Sequence, residues 1–382
     1  MENNTANSVT RPKRLLSIDG GGLKGLVPAE ALIAIETQLD TLTGQSLPLC
    51  ERFDLIGGTS TGAILAVGLA LGLKAAELRD FYLKFGKKIF TKVFLPVCFW
   101  HSYPSGPLEK QLKNAFGEDS TLGGGKLRTN ILIVSSNVTL GTTWFFTNNP
   151  KGKYFKSNCG LPLWQIVRAS SAAPTYFPPQ TISVPDDGGQ PQKYEFVDGG
   201  VSSCNNPSLQ VFLEATDPSY QLGWPTGADK LLLISLGTGF NAVTIPAGKA
   251  TGYNLLEWAG YAVKALMEDA NLQQNVLMHL IGQRPAGKTP AATAEAKAAR
   301  AAGAPAADAL DFIGLGSDKA LTYQRITVSL TRERLNGLNL GDIDPAKVGE
   351  MDAVDQIPNF QRIGQAVARE QVSMDLLKQF FV

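Results

Sequence analysis

Two short apolar runs near the start of the chain each end in a cluster of glycines, and residues at helical spacing follow both. The first is Arg14-Leu-Leu-Ser-Ile-Asp19, closed by Gly20, Gly21 and Gly22. From Pro28, which suits a first helical turn, Ala31, Leu32, Ile35 and Leu39 recur at helix spacing. The second run is Phe53-Asp-Leu-Ile56, closed by Gly57 and Gly58, with the apolar stretch Ala63–Leu71 behind it. Glycine supplies a sharp turn at the end of a buried strand, and a helix carries the chain back so that the next strand can pair in parallel. Two such units before Leu73 predict an α/β architecture with a central, mostly parallel sheet.

The remaining pattern extends this plan. Further strands are expected at Asn130–Val138, Thr143–Thr147, Tyr194–Asp198, Lys230–Ser235 and Gln324–Leu330, and helices at Leu108–Phe116, Leu163–Ser170, Asn254–Leu280 and Ile363–Phe380. In the long helix, Val263, Leu266, Ala270, Leu277 and Leu280 form a stripe expected to pack inward. Residues 1–13 read as a polar tail and 14–382 as one domain. Alanine takes 13 of the 25 positions from Pro285 to Ala309, which suits a surface insertion at about 285–309 rather than a domain boundary.

With 44% apolar and 18% charged residues the chain can build a large core, which argues against disorder. Lys plus Arg is 35 against 34 for Asp plus Glu, a net +1 that gives no pull toward a nucleic acid polymer. Cys50, Cys98, Cys159 and Cys204 lack CxxC spacing and only His101 and His279 are present, so neither a zinc site nor a disulfide scaffold is expected. No oxygen-rich calcium loop is evident, and no metal or cofactor is expected. No secretory pattern follows the amino terminus, and the longest apolar run, Ala63–Leu73, falls short of the ~20 residues that span a bilayer. The expectation is a cytoplasmic protein with peripheral membrane contact allowed.

Chemistry concentrates at the glycine turns. Gly58-Thr-Ser60-Thr-Gly62 is a G-x-S-x-G between a strand and a helix, the setting that projects a serine hydroxyl from a crowded turn. Alone the pattern is common by chance, and its context is what favours a catalytic role. Asp19-Gly-Gly-Gly-Leu-Lys-Gly25 formally matches a dinucleotide fingerprint, but the next strand ends in glycines and serine rather than an acid. The alternative is a turn that offers backbone N–H groups to an oxyanion, with Lys24 as nearby charge or simply a solvated lysine. Neither histidine is a good base for Ser60. His101 lies in an aromatic, proline-containing loop and His279 between Met278 and Leu280, and both read as structural. A carboxylate with a raised pKa could serve instead, and Asp198, which ends a strand before Gly199 and Gly200, is the candidate, against the alternative of an ordinary Asp-Gly turn.

Taken together and in this order, Asp19–Gly25, Gly58–Gly62 and Asp198–Gly200 resemble the motifs of the patatin-like phospholipases. Arg168-Ala-Ser-Ser-Ala-Ala-Pro174, Tyr176-Phe-Pro178, Asn205-Asn-Pro207 and Leu236-Gly-Thr-Gly239 add to the likeness, which continues more loosely to Met351-Asp352. The resemblance implies a three-layer α/β/α fold and a Ser-Asp dyad without histidine. Carried over by position, Ser60 is the nucleophile, Asp198 the base, and Gly20, Gly21 and Gly22 the oxyanion hole. Lys24, Gly25, Gly58, Gly62, Gly199 and Gly200 support the motifs. Lys24 departs from the family, which more often has arginine there, and so loses the planar fork. Cys204 reads as a packed thiol.

The implied activity is phospholipase A-type hydrolysis of fatty-acyl esters at a phospholipid membrane surface. An acyltransferase and a non-catalytic lipid-binding or storage protein on the same fold are the competing classes. Ile89–Trp100, edged by Lys87, Lys88 and Lys92, reads either as a membrane-contacting lid or as buried core, with core favoured. The family includes compact bacterial effectors of antiphage defence that cyclic nucleotides switch on. This chain resembles them in size, so a cyclic-nucleotide activator is an expectation, against a constitutive lipase.

Overall fold

The structure is a computed structural model that describes residues 11–91, 103–186, 189–241, 243–285 and 318–382. Nine strands form one mixed sheet: β1 (Lys13–Ile18), β2 (Leu55–Thr59), β3 (Asn130–Asn137), β4 (Thr142–Thr147), β5 (Gln180–Pro185), β6 (Pro191–Asp198), β7 (Leu231–Leu236), β8 (Gly282–Gln283) and β9 (Leu321–Ile326). The hydrogen-bonded order is β5-β6-β3-β2-β1-β7-β9-β8, with β4 on β3. From β3 to β8 every pairing in that order is parallel, while β4, β5 and β6 pair antiparallel.

The strand period of two divides the core. Leu16, Ile56, Ile131, Ile133, Leu232 and Ile234 face one side, and Leu15, Leu55, Leu132, Val134, Leu231 and Leu233 face the other. Each fully buried Leu or Ile contributes about 1.5–3 kcal/mol, and apolar side chains on both faces are what a sheet covered on both sides requires. The first face is covered by α1 (Leu26–Thr43), α2 (Thr61–Ala70), α3 (Ala75–Ile89) and α4 (Ser105–Phe116). Beyond α5 (Phe155–Asn158), a single turn, α6 (Leu163–Ser170) joins that layer. The second face is covered by α7 (Ser208–Thr216) and α8 (Leu255–Ile281). Then α9 (Arg332–Gly337), α10 (Ile357–Gln371) and α11 (Met374–Phe381) return to the first. This is the three-layer α/β/α arrangement expected. No described helix is long and apolar enough to cross a membrane.

Several expectations shift. The expected helix Ile363–Phe380 is two helices, broken at Val372 and Ser373, where the Ser373 hydroxyl accepts from Leu376 N–H and starts α11. Strand β9 ends at Ile326, and Ser329 pairs with Phe240 in an isolated bridge, so the expected Gln324–Leu330 strand lies earlier. The stripe on α8 does not all pack inward: Leu266 is 69% and Leu277 41% exposed, and the Val263 side chain lies outside the description. The helix turns a polar face inward instead. Asn271 Oδ1 accepts from Asn205, Asn275 Oδ1 from Asn206, and Gln274 donates to the Ser203 carbonyl. These hydrogen bonds, together with the fully buried Met278, fix which face of α8 meets the sheet. Residues 286–309 of the insertion, residues 1–10 of the tail, 92–100 of the aromatic stretch and His101 lie outside the described residues; β1 already begins at Lys13.

Candidate active site

Strand β3 brings the two key side chains together. Its residues 130–134 pair with β2 and 132–137 with β4, so those two strands occupy opposite edges. Strand β6 pairs with Ser135–Asn137, which β4 also occupies, so β6 lies on the same edge as β2. The two strands run toward each other along it: Thr59 sits opposite Val134, and Asp198 opposite Ser135. Ser60 follows β2 directly, so a serine and an aspartate separated by 138 positions meet there. Ser60 Oγ donates to Asp198 Oδ2 at 2.6 Å.

The serine is held in a strained turn. Its φ of 55° and ψ of −118° are rare for a residue with a side chain. Crowding explains the flanking glycines: a Cβ at Gly62 would lie 2.1 Å from the Ile18 carbonyl oxygen, and one at Gly58 2.2 Å from that of Gly62. Behind Ser60, α2 is buried along its whole length and directs its positive end at the hydroxyl. Ser60 N–H donates to Ser170 Oγ at 2.8 Å, and Ser170 Oγ in turn donates to the Val134 carbonyl. Ser170 therefore ties the turn to β3. The segment around it was legible in the sequence, but this bridge was not, because it depends on α6 crossing the end of β3.

Asp198 is 6% exposed and its carboxyl is raised to about 6. Burial is the main cause, opposed by the hydrogen bond from Ser60, by Gly200 N–H on Oδ1 at 2.7 Å, and by the charge of buried Arg168. A carboxylate of that pKa is mostly ionised at neutral pH and basic enough to take a proton. The charge of Arg168, which lies on α6 and pairs with Glu109 at 3.7 Å, acts on Asp198 without touching it.

The glycine turn after β1 lies beside the serine. Gly20 N–H is occupied, donating to the Asn205 carbonyl at 3.1 Å, and Thr238 Oγ1 donates to the Gly20 carbonyl. Among the described residues no acceptor meets the N–H groups of Gly21 and Gly22. Gly22 has φ 59°, and a Cβ there would strike the Met351 carbonyl, which also accepts from Leu23 N–H at 2.8 Å. Lys24 Nζ reaches the Gly349 carbonyl at 3.4 Å; burial lowers its pKa while Glu268 and Glu350 oppose that. Gly25 packs on Thr61, and Gly199 on the Val134 carbonyl and Thr59. Below the turn, the Asp19 carboxylate takes both arms of Arg325, whose guanidinium also donates to Ser235 Oγ at 2.7 Å.

From Ser60 and Asp198 opens a narrow cleft, part of it exposed to solvent, lined by Leu23, Ile64, Phe81, Ile89, Phe90, Leu108, Tyr176, Phe177 and Met351. Behind the lining, Tyr103 packs on Tyr176 and Phe177 and donates its OH to Asp352 at 2.6 Å. Ile89 and Phe90, which begin the aromatic stretch singled out in the sequence, thus line the cleft.

The other candidates fall elsewhere. His279 packs edge-on against Tyr323, a residue of the core on the opposite side of the sheet, and burial lowers its pKa to about 3. Its imidazole stays neutral, so His279→Phe is expected to keep ester-hydrolysis kcat/KM within about twofold of wild type. The Cys204 thiol is raised by burial and its carbonyl accepts from Thr59 Oγ1, a structural position. No group of three or more metal-ligating side chains converges among the described residues.

Comparison with known proteins adds a family. The patatin-like phospholipase family model matches residues 16–211, just over half of the chain. Patatin-like protein 2 of Arabidopsis thaliana is 32% identical over 274 residues, 64% of this chain and 64% of that one. Patatin-15 of Solanum tuberosum is 30% identical over 260 residues, 64% of this chain and 66% of that one. The match therefore spans somewhat less than two thirds of these relatives' length. Among solved structures, VipD from Legionella pneumophila aligns with a TM-score of 0.35 at 14% identity, over 92% of this chain and 67% of that one.

Proposed function

Because the chain belongs to the patatin-like phospholipase family, we propose that it is a lipid acyl hydrolase that cleaves fatty-acyl esters of membrane phospholipids through an acyl-serine intermediate. The observation that carries this reading is the 2.6 Å hydrogen bond from Ser60 Oγ to Asp198 at the head of an apolar cleft. Ser60 Oγ attacks the ester carbonyl carbon as its proton passes to Asp198 Oδ2. The carbonyl oxygen becomes an oxyanion, which accepts from the N–H groups of Gly21 and Gly22, unpaired among the described residues; one such donor is typically worth about 3–4 kcal/mol to a transition state. Gly20, whose own N–H is engaged, shapes the turn. As the tetrahedral species collapses, protonated Asp198 returns its proton to the departing alcohol. Asp198 then removes a proton from water, which attacks the acyl-serine and frees the fatty acid and Ser60. The apolar cleft walls receive the acyl chain.

Since the base must be ionised, kcat/KM is expected to climb as pH rises through about 6 and to level off above it. A profile flat between about pH 5 and pH 8 would count against Asp198. The deciding experiment is a lipid-class panel on wild type and Ser60→Ala, paired with fluorophosphonate labelling. Fatty-acid release together with a Ser60 adduct is the expected result, and release that survives Ser60→Ala would remove the assignment. Added alcohol acceptors would reveal acyl transfer in the same assay. Activation by a cyclic nucleotide in antiphage defence, from the cytoplasmic side of the membrane, rests on the family resemblance; rates unchanged by every cyclic nucleotide would remove it.

A further inference from the structure

The far wall of the Ser60 cleft is thin. Ile64, one helical turn along α2 from the serine, and Phe81 of α3 close it there. The same two side chains also wall a second hollow between α3 and α4, lined by Leu78, Phe85 and Phe116 and open to water beside Lys84. Ile64 is 7% and Phe81 9% exposed, and Phe81 is braced edge-on by Phe85 at 5.4 Å and Tyr82 at 5.9 Å. Two largely apolar spaces therefore abut across one layer of side chains.

We propose that Ile64 and Phe81 form a partition that sets the length of acyl chain the cleft accepts, with the hollow between α3 and α4 as the room into which longer chains extend once the partition is thinned. This rests on the hydrolase reading of Ser60. The serine fixes the carbonyl carbon, and α2 rises 1.5 Å per residue, so Ile64 stands about 6 Å along the helix from the point of attack. A chain running from Ser60 along α2 reaches the partition after a few methylenes. Each methylene that leaves water for the apolar wall raises kcat/KM by about fourfold. One that must push against a braced phenyl ring gains nothing, because a packed core yields poorly. Rates across a chain-length series thus climb and then break at the partition.

The test is a p-nitrophenyl ester series, from butanoate through octanoate and dodecanoate to palmitate, on wild type, Phe81→Leu and Ile64→Phe. The readout is the ratio of dodecanoate to butanoate kcat/KM within each preparation, which does not depend on the fraction of active enzyme. Phe81→Leu is expected to raise that ratio by about tenfold, and Ile64→Phe, which thickens the partition, to lower it by about as much. Should one variant not fold, the direction of change in the other decides. Ratios equal to wild type in an enzyme that hydrolyses the series overturn the partition and leave the hydrolase standing. Absence of hydrolysis at every length, with no fluorophosphonate adduct on Ser60, overturns both.

Discussion

Ser60→Ala is expected to lower kcat/KM for ester hydrolysis by roughly 10⁴- to 10⁶-fold, and Asp198→Asn by roughly 10⁴-fold. The serine loses its only attacking atom. The asparagine keeps the contacts but not the basicity, since its carbonyl can still accept from Gly200 N–H while its amide faces Ser60. The two variants separate in stability. Asp198 titrates near 6 in the folded protein against 3.8 without burial, so the native state holds its proton to higher pH than the unfolded chain. Stability contributed by this group is therefore present below about pH 4 and lost as pH rises through about 6. The full cost at neutral pH is about 3 kcal/mol. Asp198→Asn, which never ionises, is expected to unfold later than wild type at pH 7 and to lose that advantage at pH 4. Urea melts at the two pH values measure it; an advantage equal at both would mean the carboxylate is not held in its charged form against burial.

The second large effect concerns the ion pair under the glycine turn. Asp19 and Arg325 have side chains 4% and 5% exposed, and the guanidinium spans from the end of β1 to Ser235 on β7. Arg325→Met leaves a buried carboxylate without its counter-charge and is expected to cost about 3–5 kcal/mol in denaturant unfolding. Asp19→Leu combined with Arg325→Met removes both charges and should recover much of that loss, because the desolvation of each ion disappears with it. A double variant no more stable than Arg325→Met would show that the pair's other hydrogen bonds, rather than its charges, hold this end of the sheet.

How much of this was visible in the chain depends on range. Strands β1 and β2 showed because a buried apolar run stands beside a glycine cluster in each, although Gly57 and Gly58, expected to close the second run, lie inside β2, which extends to Thr59; α6 has the bounds expected from its spacing. Helix α3 carries Leu78, Phe81, Tyr82 and Ile89 at helical intervals, yet its lysine-rich end merges into the aromatic stretch beyond and masks the boundary. Helix α7 is short and starts behind Asn205-Asn-Pro207, which reads as a turn. Strand β5 alternates buried and exposed over six residues with a proline at its end, a weak signal for an edge strand. At the site, Ser60, Asp198 and the glycines were legible as motifs because chemistry and backbone crowding restrict residue type there. Ser170, Arg168 and Asn205 were not assigned roles, since a serine bridging two backbone groups or an arginine facing a carboxylate from another element has no local spacing to betray it. The inward polar face of α8 has no local signal for the same reason: its amides meet partners some 70 positions away.

The head-on meeting of β2 and β6 along β3 makes one strand the ruler of the Ser60–Asp198 distance. Lengthening the exposed hairpin tip around Leu140 and Gly141 leaves Thr59 opposite Val134 and Asp198 opposite Ser135, so evolution and engineering are free to decorate that loop. Deleting either Val134 or Ser135 does the opposite. It draws the two strand ends into collision and inverts the faces of everything beyond, and is expected to abolish the proposed hydrolysis.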